Sequence, residues 1–158
     1  MRRLFLIIAM TLLSKNIAYA ALKCDGSVWT NCSGVKVLSN GDKYVGEFRA
    51  NKYNGNGTYE SANGEVYVGN FKNGQRHGYG KYTYTDGSTY AGDFVDGKPH
   101  GKGSYTWKNG DMFVGEYKWG LRNGSGIFTK NSSFLSFFGI KSKKGIWIDD
   151  KFKLFLKE

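Results

Sequence analysis

The sequence has little proline, cysteine and histidine. It holds one proline, two cysteines and two histidines among 158 residues. Aromatic residues make up 16% of the chain and glycine contributes 23 residues. So many aromatic side chains argue against a disordered chain, because disordered segments lack them. A zinc site at the cysteines is not supported either, since no second pair of ligands lies near them.

Long apolar runs are also scarce, and the clearest one lies at the N-terminus. Two arginines precede a largely apolar run of ten residues, 4–13, and an Ala-Tyr-Ala cleavage signal ends at residue 20. These parts are typical of a secretory signal peptide, and the apolar run is too short for a good membrane span. An uncleaved anchor is the disfavoured alternative. We expect residues 1–20 to be removed and the chain to be exported, periplasmic or secreted, starting near Ala21.

A pattern of aromatic residues and glycines recurs every 23 residues. It starts at Tyr44, Tyr67, Tyr90 and Phe113, and each unit contains an aromatic-x-Gly-x-aromatic run followed by a Gly-x-Gly. A fixed period of this size indicates a repeat architecture, in which each unit is one supersecondary element.

Each unit predicts a β-hairpin. In residues 90–94 the two aromatic residues and the glycine fall on one face, because side chains alternate across a strand. Residues 96–99, Asp-Gly-Lys-Pro, predict a turn, and residues 101–107 predict the return strand. Asn109-Gly110 then predicts the turn into the next unit.

The glycines within the strands predict how the hairpins pack. Glycine weakens a strand unless something needs the room, so we expect an aromatic ring to lie over each bare glycine. Stacked units can bury a face that one hairpin cannot, and each unit advances the sheet by roughly 10 Å. The rings then form three ladders: Tyr44, Tyr67, Tyr90, Phe113; Phe48, Phe71, Phe94, Tyr117; and Tyr59, Tyr82, Tyr105, Phe128.

The units resemble the MORN repeat, Y-x-G-x-F-x-x-G-x-x-x-G-x-G. Those that start at Tyr67 and Tyr90 match in full, whereas the first has Asn51 at the turn glycine and the fourth exchanges its aromatics to Phe113 and Tyr117. The resemblance implies an all-β fold, an elongated single-layer antiparallel sheet of stacked β-hairpins. It implies no single activity, since MORN arrays occur as scaffolds, dimerisation modules and lipid-associated modules.

The array predicts four divisions of the chain. They are the signal peptide 1–20, an N-terminal cap with a degenerate repeat 21–43, four MORN repeats 44–130, and a degenerate repeat with a C-terminal cap 131–158. Terminal repeats are expected to be atypical because they cap the array.

The two cysteines fall in the predicted N-terminal cap. Cys24 and Cys32 are separated by seven residues, and an exported chain meets an oxidising compartment. We therefore expect a disulfide. Residues 34–41 match residues 80–87 at twice the period, which places Cys32 at the position of Gly78.

Catalytic and metal-binding constellations are not evident. His77 and His100 occupy one repeat position, as do Glu47, Asp93 and Glu116. Equivalent positions lie roughly 10 Å apart, too far for two histidines to share a metal ion. The carboxylates predict an exposed stripe, not the closely spaced pair that acid–base catalysis requires. We therefore predict no enzymatic activity, no cofactor and no metal site.

The positive charge suggests an anionic target. The formal net charge is +10, and an exported chain meets lipid headgroups or cell-wall polymers and not nucleic acid. One apolar segment with a basic rim suits an anionic membrane surface or a protein partner. Its candidate contact residues are Phe134, Phe137, Phe138, Lys141, Lys143 and Lys144. The alternative is that this segment only caps the last hairpin.

Two functional hypotheses follow. The first is a non-enzymatic exported scaffold that binds a protein partner or an anionic membrane surface in the cell envelope. The second is a carbohydrate or cell-wall ligand-binding module that uses the aromatic face, since rings such as Trp107 and Trp119 can stack on a glycan. For the rings, the simpler alternative is that they only pack over the glycines. The open sheet edges leave a homodimer as a further option.

Overall fold

The computed structural model describes residues 22–131 and 142–156. All its strands form one antiparallel sheet whose order follows the chain. The strands are β1 (Cys32–Val37), β2 (Lys43–Arg49), β3 (Lys52–Glu60), β4 (Val66–Lys72), β5 (Gln75–Thr83), β6 (Thr89–Val95), β7 (Lys98–Thr106), β8 (Met112–Lys118), β9 (Leu121–Thr129), β10 (Ser142–Ile148) and β11 (Lys151–Phe155). The predicted all-β, single-layer sheet of stacked hairpins is therefore confirmed. In these described ranges no helix qualifies as a candidate membrane span.

Each of the five hairpins has one two-residue turn between its strands, and the five turns lie along one long edge of the sheet. Both residues of each turn have positive φ, for example 48° at Asp96 and 81° at Gly97. Two positive φ values define the type I′ turn, whose twist matches that of the flanking strands. The predicted turn over residues 96–99 was two residues too long. Lys98 and Pro99 lie in β7, where Pro99 pairs with Phe94.

The return strand starts at Lys98, three residues earlier than predicted, and it contains a bulge. Gly92 pairs with Gly103 and Phe94 pairs with Pro99, so Asp93 alone faces three residues, 100–102. Gly101 sits at the centre of this bulge with φ +69°, a conformation that glycine adopts without strain. The same register shift recurs in the other three MORN units.

The predicted carboxylate stripe is exposed and has a structural role. The Asp93 carboxylate accepts the backbone N–H of Lys102 at 3.3 Å, and Glu47 accepts that of Asn56 at 3.0 Å. Glu116 accepts the N–H of Ser125 at 2.8 Å. These backbone groups follow the bulge glycines, so the stripe satisfies amides that the bulge removes from the ladder.

The aromatic ladders form the core on one face, which we call the ring face. The first and second ladders are buried throughout. Each of the three tyrosines of the first ladder meets, edge to face, a second-ladder ring of the next unit, as Tyr44 meets Phe71 at 5.1 Å and Tyr90 meets Tyr117 at 5.0 Å. Such edge-to-face pairs are a preferred arrangement of aromatic rings. The predicted ladders over the glycines are thus confirmed.

The N-terminal cap continues the repeat geometry at the first strand. Cys24 and Cys32 form a disulfide, and Cys32 pairs with Phe48 as Gly78 pairs with Phe94. The loop between the cysteines places Trp29 against Phe48 with ring centroids 4.7 Å apart. The predicted disulfide and the predicted position of Cys32 are both present.

The last hairpin, β10–β11, extends the array at the other end. Gly145 pairs with Gly126 and Trp147 pairs with Gly124, the register that the earlier units use. Trp147 is buried and packs on Phe113 at 4.9 Å. Lys143 stands where the earlier units carry their first aromatic residue, so this repeat is degenerate at that position.

Candidate binding surfaces

The first candidate surface is the line of hairpin turns, which we call the turn edge. A backbone N–H of each turn donates to a carbonyl of the preceding unit, as Gly74 does to Tyr53 and Gly97 does to Arg76. These bonds hold successive turns side by side. The exposed basic residues that flank the turns are Arg49, Lys52, Lys72, Lys98, Lys118 and Lys151.

The basic side chains of the turn edge point away from the ring face. Arg49 and Lys52 adjoin Phe48 and Tyr53, which pack in the aromatic core, and successive side chains of a strand alternate between faces. We call this opposite side the open face. It also carries a row of exposed aliphatic residues, Val45, Val68, Val114 and Ile127. The open face therefore combines positive charge at one edge with apolar groups beside it.

The C-terminal part of the turn edge is less polar. Trp119 is exposed in the fourth turn, and Leu121 and Ile148 are exposed beside the fourth and fifth turns. Of the acidic turn residues, Asp150 is bound by Arg122 at 2.9 Å and Asp149 accepts a hydrogen bond from Asn123. Both carboxylates therefore have partners within the sheet.

The contact residues predicted from the sequence are only partly placed. Phe134, Phe137, Phe138 and Lys141 lie outside the described residues. Lys143 and Lys144 are exposed neighbours in β10, so their side chains point to opposite faces of the sheet. The sequence analysis missed the turn edge, although Arg49, Lys72 and Lys118 follow the 23-residue period.

The second candidate surface lies on the ring face, between the first and second MORN units. Between successive rings of the third ladder, a further aromatic ring is present in two of the three spaces. Tyr84 lies 4.6 Å from Tyr82 and 5.7 Å from Tyr105, and Trp107 lies between Tyr105 and Phe128. Ser61 holds the equivalent position between Tyr59 and Tyr82. The missing ring leaves a groove of about 410 Å³, which we call the Ser61 groove.

Aromatic rings and an arginine form the walls of the Ser61 groove. Tyr53, Tyr59 and Tyr82 are half-buried and line it above the buried rings of Tyr67 and Phe71. Tyr53 is held by parallel stacking on Tyr44, with centroids 3.9 Å apart. The Arg76 guanidinium lies 4.7 Å from the Tyr82 centroid, a cation–π distance.

Arg76 differs from its repeat counterpart Arg122. Arg122 also lies over rings, 5.5 Å from the Phe113 centroid, but its guanidinium is bound by Asp150. Within residues 22–131 and 142–156, no carboxylate lies at ion-pair distance from Arg76. Arg76 therefore lines the groove without the ion pair that holds Arg122.

Hydrogen bonds organise the polar rim of the Ser61 groove. The Tyr82 hydroxyl donates to Glu65 at 2.7 Å, and the Tyr59 hydroxyl donates to Asp42. Burial raises the pKa of Tyr82, and the bond to Glu65 adds to the shift. Burial and the bond to Asp42 raise the pKa of Tyr59 to about 12. Both hydroxyls are thus protonated donors at neutral pH.

The histidines and carboxylates do not converge. His100 packs against Trp119 with ring centroids 5.0 Å apart. The carboxylates of Glu47, Asp93 and Glu116 each bind the backbone of their own unit. In the described ranges no group of three or more histidine, cysteine or acidic residues is placed to hold a metal ion.

This geometry defines a class of protein, a single-layer array of glycine-and-aromatic hairpins. The MORN repeat family model matches four consecutive segments, residues 44–66, 67–89, 90–112 and 113–133. The matches cover more than half of the chain, so the chain belongs to the MORN-repeat family. Membership of this family supports the interpretation of the chain as a repeat scaffold or a binding protein. No curated protein shows significant sequence similarity to the chain.

Proposed function

We propose that this chain is a non-enzymatic, exported scaffold that associates with an anionic membrane surface of the cell envelope through the turn edge. The observation that carries the proposal is the alignment of six exposed basic side chains along five adjacent turns. With strands about 4.8 Å apart, this line extends over roughly 40 Å. Such a line matches a charged surface better than it matches a compact ligand.

Electrostatics and apolar contacts both favour the membrane surface. Each basic residue near an anionic bilayer contributes about 1 kcal/mol of binding free energy. Trp119, Leu121 and Ile148 are exposed on the same edge, and tryptophan favours the headgroup region of a bilayer. The edge therefore offers the two components that surface association uses.

Export is supported by the N-terminal sequence and by the disulfide. Residues 1–20 have the charge and apolar pattern of a signal peptide, although they lie outside the described residues. The Cys24–Cys32 bond is the kind of link that persists in an oxidising compartment. N-terminal sequencing of the exported chain should give a start near Ala21, and a start at Met1 would contradict the proposal.

Flotation with lipid vesicles tests the membrane proposal. The chain comprising residues 21–158 is mixed with vesicles of neutral lipid or of mixed neutral and anionic lipid, at low and high salt. Because exposed charges are screened by salt, we expect binding to the anionic vesicles that weakens as the salt concentration rises. Equal binding to neutral vesicles, or no binding to either, would refute the proposal and leave a protein partner as the candidate.

A further inference from the structure

We propose that the Ser61 groove is a binding site for a neutral pyranose ring of a glycan. This site differs from the basic surface of the turn edge, because its aromatic walls lie on the ring face, although the turn residues Gly74, Asp96 and Gly97 also line the groove. The groove lies at a position where the first unit differs from the later units. Where the later intervals carry Tyr84 and Trp107, the first interval carries Ser61, and Tyr59, Ser61 and Tyr82 all line the groove.

The size and closure of the groove favour one ring and not a long chain. Its volume of about 410 Å³ lies in the range of small-molecule sites. Towards the N-terminal end of the array it meets Tyr53, which stacks on Tyr44. On the other side, Tyr84 fills the space between Tyr82 and Tyr105. An extended peptide would meet these rings at both ends.

The chemistry of the walls matches the two surfaces of a pyranose. A sugar ring has an apolar face of C–H groups and a rim of hydroxyls. The partly accessible rings of Tyr53, Tyr59 and Tyr82 offer flat apolar surfaces with polar tips. Glu65, Gln75, Arg76 and Asp96 surround them with hydrogen-bond donors and acceptors, whereas the Ser61 hydroxyl donates to Asp42 at 3.3 Å.

The charge of the rim favours a neutral glycan over a phosphorylated or sulfated one. Arg76 is the cation among the lining residues, and Glu65 and Asp96 are the two carboxylates. A polyanion would therefore meet more negative than positive charge. The Arg76 guanidinium, positioned over Tyr82 and without an ion-pair partner among the described residues, can still donate hydrogen bonds to sugar hydroxyls.

Titration of the protein with defined oligosaccharides, followed by chemical-shift changes in its NMR spectrum, tests the site. The probes are cellotetraose, maltotetraose and chitotetraose, with a heparin tetrasaccharide as the charged comparison. We expect at least one neutral probe to bind and to shift the ring signals of Tyr53, Tyr59 and Tyr82. If no neutral probe shifts these signals, or if only the heparin tetrasaccharide binds, the proposal is wrong.

Two substitutions at one position provide the matched comparison. Ser61→Trp inserts the ring that Trp107 supplies in the third unit, so we expect affinity for the neutral probe to fall about tenfold or more. Ser61→Ala leaves the groove open and should bind within a few-fold of the unaltered chain. Equal affinity of the two variants would overturn the proposal.

If Ser61→Trp fails to fold, a second pair of variants tests the proposed binding site. Arg76→Met keeps an apolar stem but removes the guanidinium, and Tyr53→Leu removes one stacking surface. Each should lower affinity for the neutral probe about tenfold, and unchanged affinity in both would contradict the site. Anionic vesicle binding should persist in all folded groove variants, which separates failure of this inference from failure of the turn-edge proposal.

Discussion

The ring of Tyr44 lies across Gly57 so closely that a Cβ at residue 57 would stand 2.5 Å from the Tyr44 hydroxyl oxygen. The hydroxyl itself donates to the backbone carbonyl of Glu47 at 2.9 Å. Tyr67 and Tyr90 make the same bond to the carbonyls of Asn70 and Asp93. The glycine therefore provides the space in which a buried tyrosine reaches the backbone opposite each bulge.

Replacing Gly57 by alanine should destabilise the sheet. The added methyl group would meet three atoms of Tyr44 at 2.5–2.6 Å, and overpacking of this kind costs about 2 kcal/mol. Urea unfolding measures the change in the free energy of unfolding.

Gly34→Ala is the matched control for this prediction. Gly34 belongs to the same row, through its pairing with Gly46, but its nearest atoms would stand at 3.1–3.3 Å from the new Cβ. Its cost should therefore be smaller than that of Gly57→Ala. A Gly57→Ala cost no larger than that of Gly34→Ala would show that the ring does not need the glycine.

The fourth unit should become more stable when its aromatics are exchanged. The Tyr117 hydroxyl is buried without a hydrogen-bond partner among the described residues. Phe113 lacks the hydroxyl that its counterparts use to bind a carbonyl. The double variant Phe113→Tyr/Tyr117→Phe gains a bond and removes the unsatisfied group, so we expect stabilisation of about 2 kcal/mol.

The reverse exchange in the third unit is the control. Tyr90→Phe/Phe94→Tyr should lower the free energy of unfolding by a similar amount, because it breaks the bond to Asp93. Differential scanning calorimetry of the two double variants measures both effects. A change of the same sign in both would contradict the account.

Stability should fall in acid as Asp42 becomes protonated. Hydrogen bonds from Tyr59, the Ala62 N–H and Asn40 hold the Asp42 pKa at about 2, whereas an unfolded aspartate titrates near 3.9. The contribution is therefore complete above about pH 4 and is lost as the pH falls towards 2. Carbon-detected NMR titration of the carboxyl group measures this pKa directly.

Tyr59→Phe tests the cause of the low pKa. It removes the largest of the interactions that hold the Asp42 pKa down, so the measured pKa should rise towards 3.9. The acid loss of stability should then be smaller and should end at a higher pH than in the unaltered chain. An Asp42 pKa unaffected by this substitution would assign the shift to other groups.

The disulfide should stabilise the first strand and its cap. Cys24 and Cys32 close a small loop, and a loop of this size is expected to contribute about 2 kcal/mol. The double variant Cys24→Ser/Cys32→Ser should lose this amount in urea unfolding. Hydrogen exchange should accelerate mainly in β1 and β2, and uniform acceleration across β6–β9 would contradict a local cap.

Most of the fold followed from the period of the sequence. Spacing by 23 residues fixed which rings share a ladder, and the match of residues 34–41 with 80–87 placed Cys32 opposite Phe48. The bulge was missed because its signal is one positive-φ glycine, Gly101. Side-chain alternation alone does not show that Asp93 faces three residues.

The candidate surfaces depend on comparisons between equivalent positions. Ser61 is unremarkable alone, and it marks a groove only beside Tyr84 and Trp107. The basic turn edge likewise needs the register of the turns, which brings Arg49 and Lys118 to one edge although 69 positions separate them. Packing and strand register show which residues lie side by side, and local sequence patterns do not.

Two variants with the same change of net charge test the central claim, that position along the turn edge governs association with anionic membranes. One carries Lys72→Glu, Lys98→Glu and Lys118→Glu. The other carries Lys36→Glu, Lys108→Glu and Lys130→Glu, which are exposed and lie away from the turn edge.

Flotation with anionic vesicles at about 0.1 M salt should separate these two variants. We expect the turn-edge variant to lose binding and the control variant to retain most of it, because charges beyond a screening length of about 10 Å interact weakly with the bound surface. Equal loss in both would show that net charge alone drives the association and would contradict the account.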